Sequence, residues 1–164
     1  MKSPFKVKNE QRLDFGQERK PTIDFRIETE DGQLKRRKWV LDCDQKDPLI
    51  VGKERRRIHE IMKEKLGPMI PDTDFVVTQS DDGLKMLQMI QPEIDGLPAD
   101  QAVEAGYIEA DKLYELRKKI SAKIDEVMWD ERLEDLSTGR IKGFTCDPKN
   151  IIITKQGEAF ITYW

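Results

Sequence analysis

GFTCDPKNIIIT, residues 143–154, is the stretch that decides the expected fold of this chain. It is typical of a tight polar turn that ends at Asn150 and continues directly into an apolar, β-branched strand. A second run of strand-forming residues, AFITYW at 159–164, follows the Gly-containing turn KQGE. Two such runs separated by a short turn predict a β-hairpin in this part of the sequence.

Hydrophobic periodicity predicts that strands dominate the first half of the chain. Apolar residues alternate at 22–29 and again at 37–44, which indicates a strand and its return strand. A stripe at three- and four-residue spacing predicts a helix over residues 52–66. Two further strands are expected at 73–79 and 84–91, joined by a Gly-containing turn.

The second half of the chain is expected to be mainly helical before the hairpin. A connector at 91–96 leads to a short helix at 98–105, and a long apolar stripe predicts a helix from 111 to about 136. We therefore expect an α+β fold, with a strand-rich N-terminal part that carries one helix and a reduced helical part that ends in a C-terminal β-hairpin. The expected divisions are a polar N-terminal arm at 1–20, the strand-rich part at 21–95 and the helical part at 96–164.

Composition argues against a membrane segment and against a zinc site. Of the 164 residues, 37% are hydrophobic and 37% are charged, and the formal net charge is −3. No apolar run reaches the length of a membrane span, and the first residues lack the apolar core of a signal peptide, so we expect a cytoplasmic location. Cys43, Cys146 and the single histidine, His59, do not form a zinc-ligand pattern.

Two basic clusters interrupt the acidic balance of the chain, KRRK at 35–38 and RRR at 55–57. Clusters of this kind are usually solvated faces of a strand or helix, although they can contact phosphate groups or an acidic partner. Because the whole chain is acidic, we do not expect nucleic acid to be its partner.

The turn, its Asn150 and the following hairpin resemble the catalytic loop and metal loop of the protein-kinase-like and aminoglycoside-phosphotransferase-like superfamily, where the pattern is roughly D-x-H-P-x-N-I, then D-G and I-D. The resemblance covers residues 22–164, because the order of elements is also similar to a strand-rich lobe with one helix, a hinge and a helical lobe. It implies that backbone groups of Gln91, Pro92 and Glu93 contact adenine, and that ATP and Mg²⁺ are possible ligands. Active members continue with further helices, so the chain resembles either a reduced member or a truncated piece of one.

Four positions depart from this family pattern. By the resemblance, the acid that takes the acceptor's proton falls at Thr145, whose hydroxyl cannot act as a base near neutral pH. The metal-binding acid falls within Thr162-Tyr163-Trp164, which has no carboxylate for Mg²⁺. Asp42 occupies the place of the phosphate-holding lysine, for which Lys38 could substitute if the strand register shifts, and no Gly-rich phosphate loop precedes Ile23.

The candidate site residues therefore have alternative roles. Asn150 and Asp147 are either magnesium ligands or residues that hold the turn through their side chains. Lys38, Gln91 and Glu93 are the candidates for nucleotide binding.

Three functions stay open. The first is a catalytically degenerate kinase-like domain, a pseudokinase, that acts by binding another macromolecule, most simply a protein. The second is an active ATP-dependent phosphotransferase with an atypical metal site, and the third is a small nucleic-acid-binding α+β module. The first is favoured because the order of the scaffold is kept while the catalytic acids are replaced.

Overall fold

The computed structural model describes residues 6–13, 22–41, 43, 46–136 and 138–164. Within them the protein is α+β, as the sequence predicts, with eight strands in two antiparallel sheets and four α-helices. No helix in the described part is both long and apolar enough to span a membrane. The strands are β1 Val7–Arg12, β2 Thr22–Thr29, β3 Leu34–Val40, β4 Asp74–Gln79, β5 Lys85–Pro92, β6 Gly96–Pro98, β7 Ile151–Thr154 and β8 Ala159–Ile161, and the helices are α1 Pro48–Leu66, α2 Ala99–Ala102, α3 Ala110–Met128 and α4 Gly139–Thr145.

The chain forms two compact units. Unit 1 comprises Met1–Arg56 and Asp72–Glu93, and unit 2 comprises Arg57–Pro71 and Ile94–Trp164. The sequence predicts divisions after residues 20 and 95; in the structure the second half of α1 groups with unit 2.

Unit 1 contains one antiparallel sheet with the strand order β1-β2-β3-β5-β4. Helix α1 follows β3 along the chain and lies against one face of this sheet at Gly52, where an added Cβ atom would be 3.2 Å from Leu87 Cδ1. A glycine at this position lets the helix backbone approach the sheet closely. Other buried apolar residues of unit 1 are Ile27, Val40, Val51, Phe75, Met89 and Ile90.

The opposite face of the same sheet is covered by aromatic and charged side chains. The rings of Phe25 and Trp39 lie 5.1 Å apart, and the guanidinium of Arg37 lies over both of them. Nη2 of Arg37 also donates a hydrogen bond of 2.7 Å to Glu10 Oε1, which connects β3 to β1 across β2. Arg37 is therefore only 4% exposed despite its charge.

Three boundaries in unit 1 differ from the sequence predictions. The sequence predicts an irregular arm at 1–20, but Val7–Arg12 is a strand, whose charged residues suit the edge of a sheet. The return strand is Leu34–Val40 rather than 37–44, and Asp42 lies outside the described residues. Helix α1 begins at Pro48 rather than at 52, because Asp47 Oδ1 accepts a hydrogen bond from the N–H of Leu49 at 2.9 Å and proline suits the first helical position.

Unit 2 is built around α3 and the three-stranded sheet β6-β7-β8. Part of the apolar stripe that predicts α3 is fully buried, since Ile120, Ile124 and Val127 are all 0% exposed. β6 passes so close to β7 that a Cβ atom at Gly96 would be 2.5 Å from the carbonyl oxygen of Ile153. Further buried apolar residues of unit 2 include Leu133, Ile141, Ile151, Ile161, Tyr163 and Trp164.

Three elements of unit 2 also differ from the predictions, and the first is the short helix expected at 98–105, which is Ala99–Ala102. The long helix ends at Met128 rather than near 136, because Asp130 starts a short 3₁₀ turn by accepting a hydrogen bond of 2.9 Å from the N–H of Arg132. The polar segment before the hairpin, predicted as a loop, contains α4. A further 3₁₀ turn, Pro148–Asn150, leads directly into β7.

Candidate functional site

The segment between α4 and β7 is a hydrogen-bonded turn centred on Asp147. Its Oδ1 accepts a hydrogen bond of 3.0 Å from the N–H of Lys149, and its carbonyl oxygen accepts one of 2.9 Å from the N–H of Asn150. Pro148 occupies the first position of the 3₁₀ turn, where its fixed φ is favourable. The side chain of Asp147 thus caps this turn, which is the structural one of its two predicted roles.

Asn150 connects the turn to both neighbouring elements. Its Nδ2 donates to the carbonyl oxygen of Phe144 in α4 at 2.9 Å. Its own carbonyl oxygen accepts two hydrogen bonds from Thr162, from the N–H at 2.8 Å and from Oγ1 at 3.1 Å. Oδ1 of Asn150 accepts no hydrogen bond from the residues that the structure describes, and it is therefore the atom of this side chain that could still bind a ligand.

Thr145 lies in the last turn of α4 and is 0% exposed. Its Oγ1 donates a hydrogen bond of 2.7 Å to the carbonyl oxygen of Ile141. This is the local bond that threonine commonly makes one turn back along a helix. The hydroxyl is thus buried and already bonded, so it cannot take a proton from an acceptor in solvent.

The resemblance implies a catalytic carboxylate at position 145 and a metal-binding one within 162–164. At these positions Thr145 and Thr162 carry hydroxyl groups, and each hydroxyl donates to a backbone carbonyl, that of Ile141 and that of Asn150. The two threonines flank the same turn, one before it and one after the hairpin. Their hydroxyl groups therefore stabilise the backbone on both sides of the turn.

The two predicted magnesium ligands, Asp147 and Asn150, both use part of their side chain to hold the turn. Mg²⁺ is usually bound by one or two carboxylates together with phosphate oxygens and water in octahedral geometry. Asp147 is already the cap of its turn, and position 162 supplies a hydroxyl that points at a carbonyl oxygen. In the part of the chain that the structure describes, no three His, Cys, Asp or Glu side chains lie together in a way that could hold a metal ion.

Lys38 lies in unit 1, on the sheet face that also contacts α1, and is 5% exposed. Its neighbours across the strands are Asp24 in β2 and Met89 in β5. Arg36, two residues earlier on the same face, forms an ion pair of 3.8 Å with Asp24. This face therefore carries several charged groups beside Lys38, whereas sites for small planar ligands are lined mainly by apolar side chains.

The other two nucleotide-binding candidates make contacts within unit 1. Gln91 is 2% exposed, and its Nε2 donates to Thr73 Oγ1 at 3.1 Å. The backbone N–H of Glu93 donates to the carbonyl oxygen of Leu34 at 3.2 Å, and its carboxylate accepts two hydrogen bonds from Arg26 Nε at 2.7 and 2.9 Å. An adenine ring that accepted a hydrogen bond from the N–H of Glu93 would first have to displace the carbonyl oxygen of Leu34.

The two basic clusters also make internal contacts rather than one exposed basic surface. Arg37 and Lys38 of the first cluster are buried. In the second cluster, Arg56 Nη2 donates to the carbonyl oxygen of Phe75 at 2.8 Å. Arg57 Nη1 lies 2.7 Å from Asp135 Oδ1.

Sequence reasoning missed an open groove in unit 2, which lies between the segment after α2, the start of α3 and the β7–β8 turn. Its volume is about 680 Å³. The only signals in the sequence are two glycines in turn segments, Gly106 and Gly157, which both adopt positive φ. The lining residues are Val103, Gly106, Tyr107, Ile108, Glu109, Ala110, Lys112, Leu116, Gln156 and Gly157.

Comparison with known proteins finds no protein-family model and no curated protein that matches this chain. The function is therefore inferred from the chemistry of its own residues.

Proposed function

We propose that this chain is a catalytically degenerate kinase-like domain that acts by binding another protein and transfers no phosphate. The observation that carries the proposal is the pair of hydroxyl groups at Thr145 and Thr162, each of which donates to a backbone carbonyl. A general base must accept a proton from its substrate, and a magnesium ligand must offer a lone pair from a hard oxygen. The Thr145 hydroxyl is buried and already bonded, and neither hydroxyl carries the negative charge of a carboxylate.

The kinase-like ancestry is supported by the order of the elements. Five strands precede the hairpin in one antiparallel sheet, and the helix α1 lies between β3 and β4 along the chain. The chain leaves this sheet at Glu93 and enters the helical unit, which ends in the hairpin that follows Asn150. The resemblance implies this same order.

An active phosphotransferase with an atypical site is the second candidate. It is favoured by Oδ1 of Asn150, which is not used in hydrogen bonding by the described residues. Against it stand the capping role of Asp147 and the hydrogen bond that engages the N–H of Glu93. A nucleic-acid-binding module ranks below both, because the basic residues that would contact phosphate are buried or bonded within the protein.

Thermal unfolding with and without nucleotide separates the first two candidates. A ligand present at one hundred times its dissociation constant stabilises the folded state by about 2.7 kcal/mol. We expect millimolar ATP with Mg²⁺ to leave the unfolding temperature unchanged. A magnesium-dependent increase that Asn150→Ala removes, while the matched variant Lys155→Ala keeps it, would show a nucleotide site at this turn and, together with phosphate transfer by the wild type, would replace the proposal with the second candidate.

A further inference from the structure

Three Asp-Gly steps occur in this chain, and such steps are the places where a protein backbone most readily rearranges without an enzyme. In this reaction the glycine nitrogen attacks Cγ of the aspartate, and a glycine has no Cβ atom to hinder that approach. All three aspartates are exposed, so exposure does not distinguish them. The steps are Asp31-Gly32, Asp82-Gly83 and Asp95-Gly96.

The rearrangement releases and consumes only water. The glycine nitrogen loses its proton and bonds to Cγ, while one carboxyl oxygen leaves as water, and this closes a succinimide ring. Water then adds to one of the ring carbonyl carbons and breaks the bond between that carbon and nitrogen. When the broken bond is the original peptide bond, the chain continues through Cβ as an isoaspartyl residue. The reaction therefore requires a neutral carboxyl group, a glycine N–H that is not engaged and an aspartate side chain that is free to turn.

The turn between β2 and β3 holds both reacting groups of its Asp-Gly step. Oδ1 of Asp31 accepts a hydrogen bond from the hydroxyl of Thr29 and one of 3.3 Å from the N–H of Gln33. The N–H of Gly32 donates to the carbonyl oxygen of Thr29 at 2.9 Å. The carboxylate is therefore fixed and the glycine nitrogen is engaged.

The turn between β4 and β5 repeats this arrangement. Oδ1 of Asp82 accepts from the hydroxyl of Ser80 and from the N–H of Leu84 at 3.4 Å, and the N–H of Gly83 donates to the carbonyl oxygen of Ser80 at 2.9 Å. In both turns the pKa of the aspartate is lowered, first by the hydrogen bond from the hydroxyl and then by that from the backbone N–H. An ionised carboxylate does not lose water, so both turns oppose ring closure.

The carboxylate of Asp95 has no such partner. Asp95 lies in irregular backbone between β5 and β6 along the chain, and none of the residues that the structure describes bonds or pairs with its side chain. Its carboxyl group is therefore free to turn toward the next nitrogen.

The N–H of Gly96 is also not engaged by the neighbouring strand. Pro98 has no N–H, so the hydrogen-bonded pair of the β6–β7 ladder is Leu97 with Ile153. Because hydrogen-bonded and non-hydrogen-bonded pairs alternate along an antiparallel ladder, the N–H of Gly96 points away from β7. β6 is an edge strand of the described sheet, so that N–H faces no further strand of this sheet.

We propose that Asp95 is a site of spontaneous isoaspartate formation in the folded protein, and that the two hairpin turns protect Asp31 and Asp82 from the same reaction. An isoaspartyl residue adds one carbon atom to the backbone directly before Gly96. A Cβ atom at Gly96 would lie 2.5 Å from the carbonyl oxygen of Ile153, so there is no room for a displaced backbone. The modification therefore disrupts the pairing of β6 with β7. This inference goes beyond the proposed function and does not depend on it.

The test is to keep the folded full chain at neutral pH and body temperature for several weeks and to locate isoaspartate by peptide mapping with mass spectrometry. A repair methyltransferase that uses labelled S-adenosylmethionine to esterify isoaspartyl groups measures the total. A hydrogen bond to a charged group is strong enough to slow such a reaction by about tenfold, so we expect about tenfold more isoaspartate at position 95 than at 31 or 82. In the urea-unfolded chain the three positions should react at similar rates.

Two pairs of proteins provide the controls. Asp95→Glu keeps the charge but would have to close a larger ring, so it should lose most of the isoaspartate that the wild type forms. Ser80→Ala removes the hydroxyl that holds Asp82 and should increase isoaspartate at that position, whereas Ser80→Thr keeps the hydroxyl and should not.

Four results would overturn the assignment. The first is a folded wild type that forms no isoaspartate at position 95, and the second is equal formation at all three positions. The third is the same preference for position 95 in the urea-unfolded chain, since the local sequence and not the fold would then be its cause. The fourth is a total that Asp95→Glu leaves unchanged. If Ser80→Ala did not increase the reaction at Asp82, the protective role of the turn would be wrong.

Discussion

The carbonyl oxygen of Asn150 accepts two hydrogen bonds from Thr162, one from the backbone N–H at 2.8 Å and one from Oγ1 at 3.1 Å. This pair of bonds joins the residue after β8 to the residue before β7 and so closes the open end of the hairpin. A carboxylate at position 162 has no proton to donate, and its charge would be repelled by the carbonyl oxygen. The present geometry is therefore adapted to a hydroxyl and not to an acid.

Replacing the hydroxyl of Thr162 tests this closure. Thr162→Val keeps the shape of the side chain but removes the donor, and we expect the free energy of unfolding to fall by about 0.5–1.5 kcal/mol. Thr162→Ser keeps the hydroxyl donor, so its free energy of unfolding should fall by less. Urea denaturation monitored by tryptophan fluorescence measures both. If the two variants were equally stable, the Oγ1 bond would contribute nothing to the hairpin.

Thr145 gives a sharper contrast because it is fully buried. Thr145→Asp introduces the acid that the resemblance implies at this position, and it places a charge where no solvent reaches, so we expect the free energy of unfolding to fall by at least about 3 kcal/mol. Thr145→Val should cost only about 1 kcal/mol, for the lost bond to Ile141. The urea denaturation midpoints of Thr145→Asp and Thr145→Val, compared with that of the wild type, measure the two losses of stability. An aspartate variant as stable as the wild type would mean that position 145 can reach solvent.

The hydrogen bonds to the carboxylate of Asp130 predict that the stability of the protein depends on pH. The pKa of its carboxyl is held well below its ordinary value, first by the hydrogen bond from the Arg132 side chain and then by that from the Arg132 N–H. Because the folded-state pKa is depressed, the stabilisation is complete above the unfolded-state pKa of about 3.9 and is lost as the pH falls below it. Asp130→Asn should lower the urea midpoint at neutral pH, and the difference from wild type should narrow below about pH 4.

The control for this experiment is Glu134→Gln, an exposed carboxylate without an ion pair among the described residues. This substitution should leave the urea midpoint almost unchanged both at neutral pH and below about pH 4. A constant difference between wild type and Asp130→Asn across the pH range would show that the carboxylate does not act through its charge.

Replacing Gly96 and replacing Gly143 with alanine should change the stability of the protein in opposite directions. Gly96→Ala would place a Cβ atom 2.5 Å from the carbonyl oxygen of Ile153, which is backbone and cannot easily move, so we expect a loss of about 1–3 kcal/mol. Gly143 lies inside α4 with nothing within 4 Å of an added Cβ atom, and Gly143→Ala should stabilise the protein by about 0.5–1 kcal/mol. Thermal unfolding of the two variants gives the signs directly. Equal effects would contradict the close approach of β6 to β7.

The sequence predicts the elements whose apolar periodicity is undisturbed. The terminal hairpin, β4, β5 and the stripe of α3 follow from local spacing alone, and each is present within a residue or two of the prediction at its start. β1 has no such signal, because it is held by pairing with β2 and by the contact between Arg37 and Glu10. The end of α3 is set by the side chain of Asp130, an effect that periodicity does not register.

The candidate site was only partly predictable for a related reason. The sequence indicates that Asp147 and Asn150 form a turn, and both side chains hold it in the structure. It does not reveal that the N–H of Glu93 bonds to Leu34 or that Arg26 binds the carboxylate of Glu93, because these partners are distant in sequence. The groove at Gly106 was missed for the same reason, since its walls come from separate segments.

The most direct test of the account follows the transfer of labelled γ-phosphate from ATP in the presence of Mg²⁺, to the chain itself, to water and to a panel of hydroxyl-bearing acceptors. The comparison includes wild type, Asn150→Ala and the matched surface variant Lys155→Ala. We predict that none of the three exceeds the reaction without protein. Steady transfer by wild type and Lys155→Ala that Asn150→Ala abolishes, with its fold intact, would contradict the central claim that this hairpin has kept its architecture and lost its chemistry.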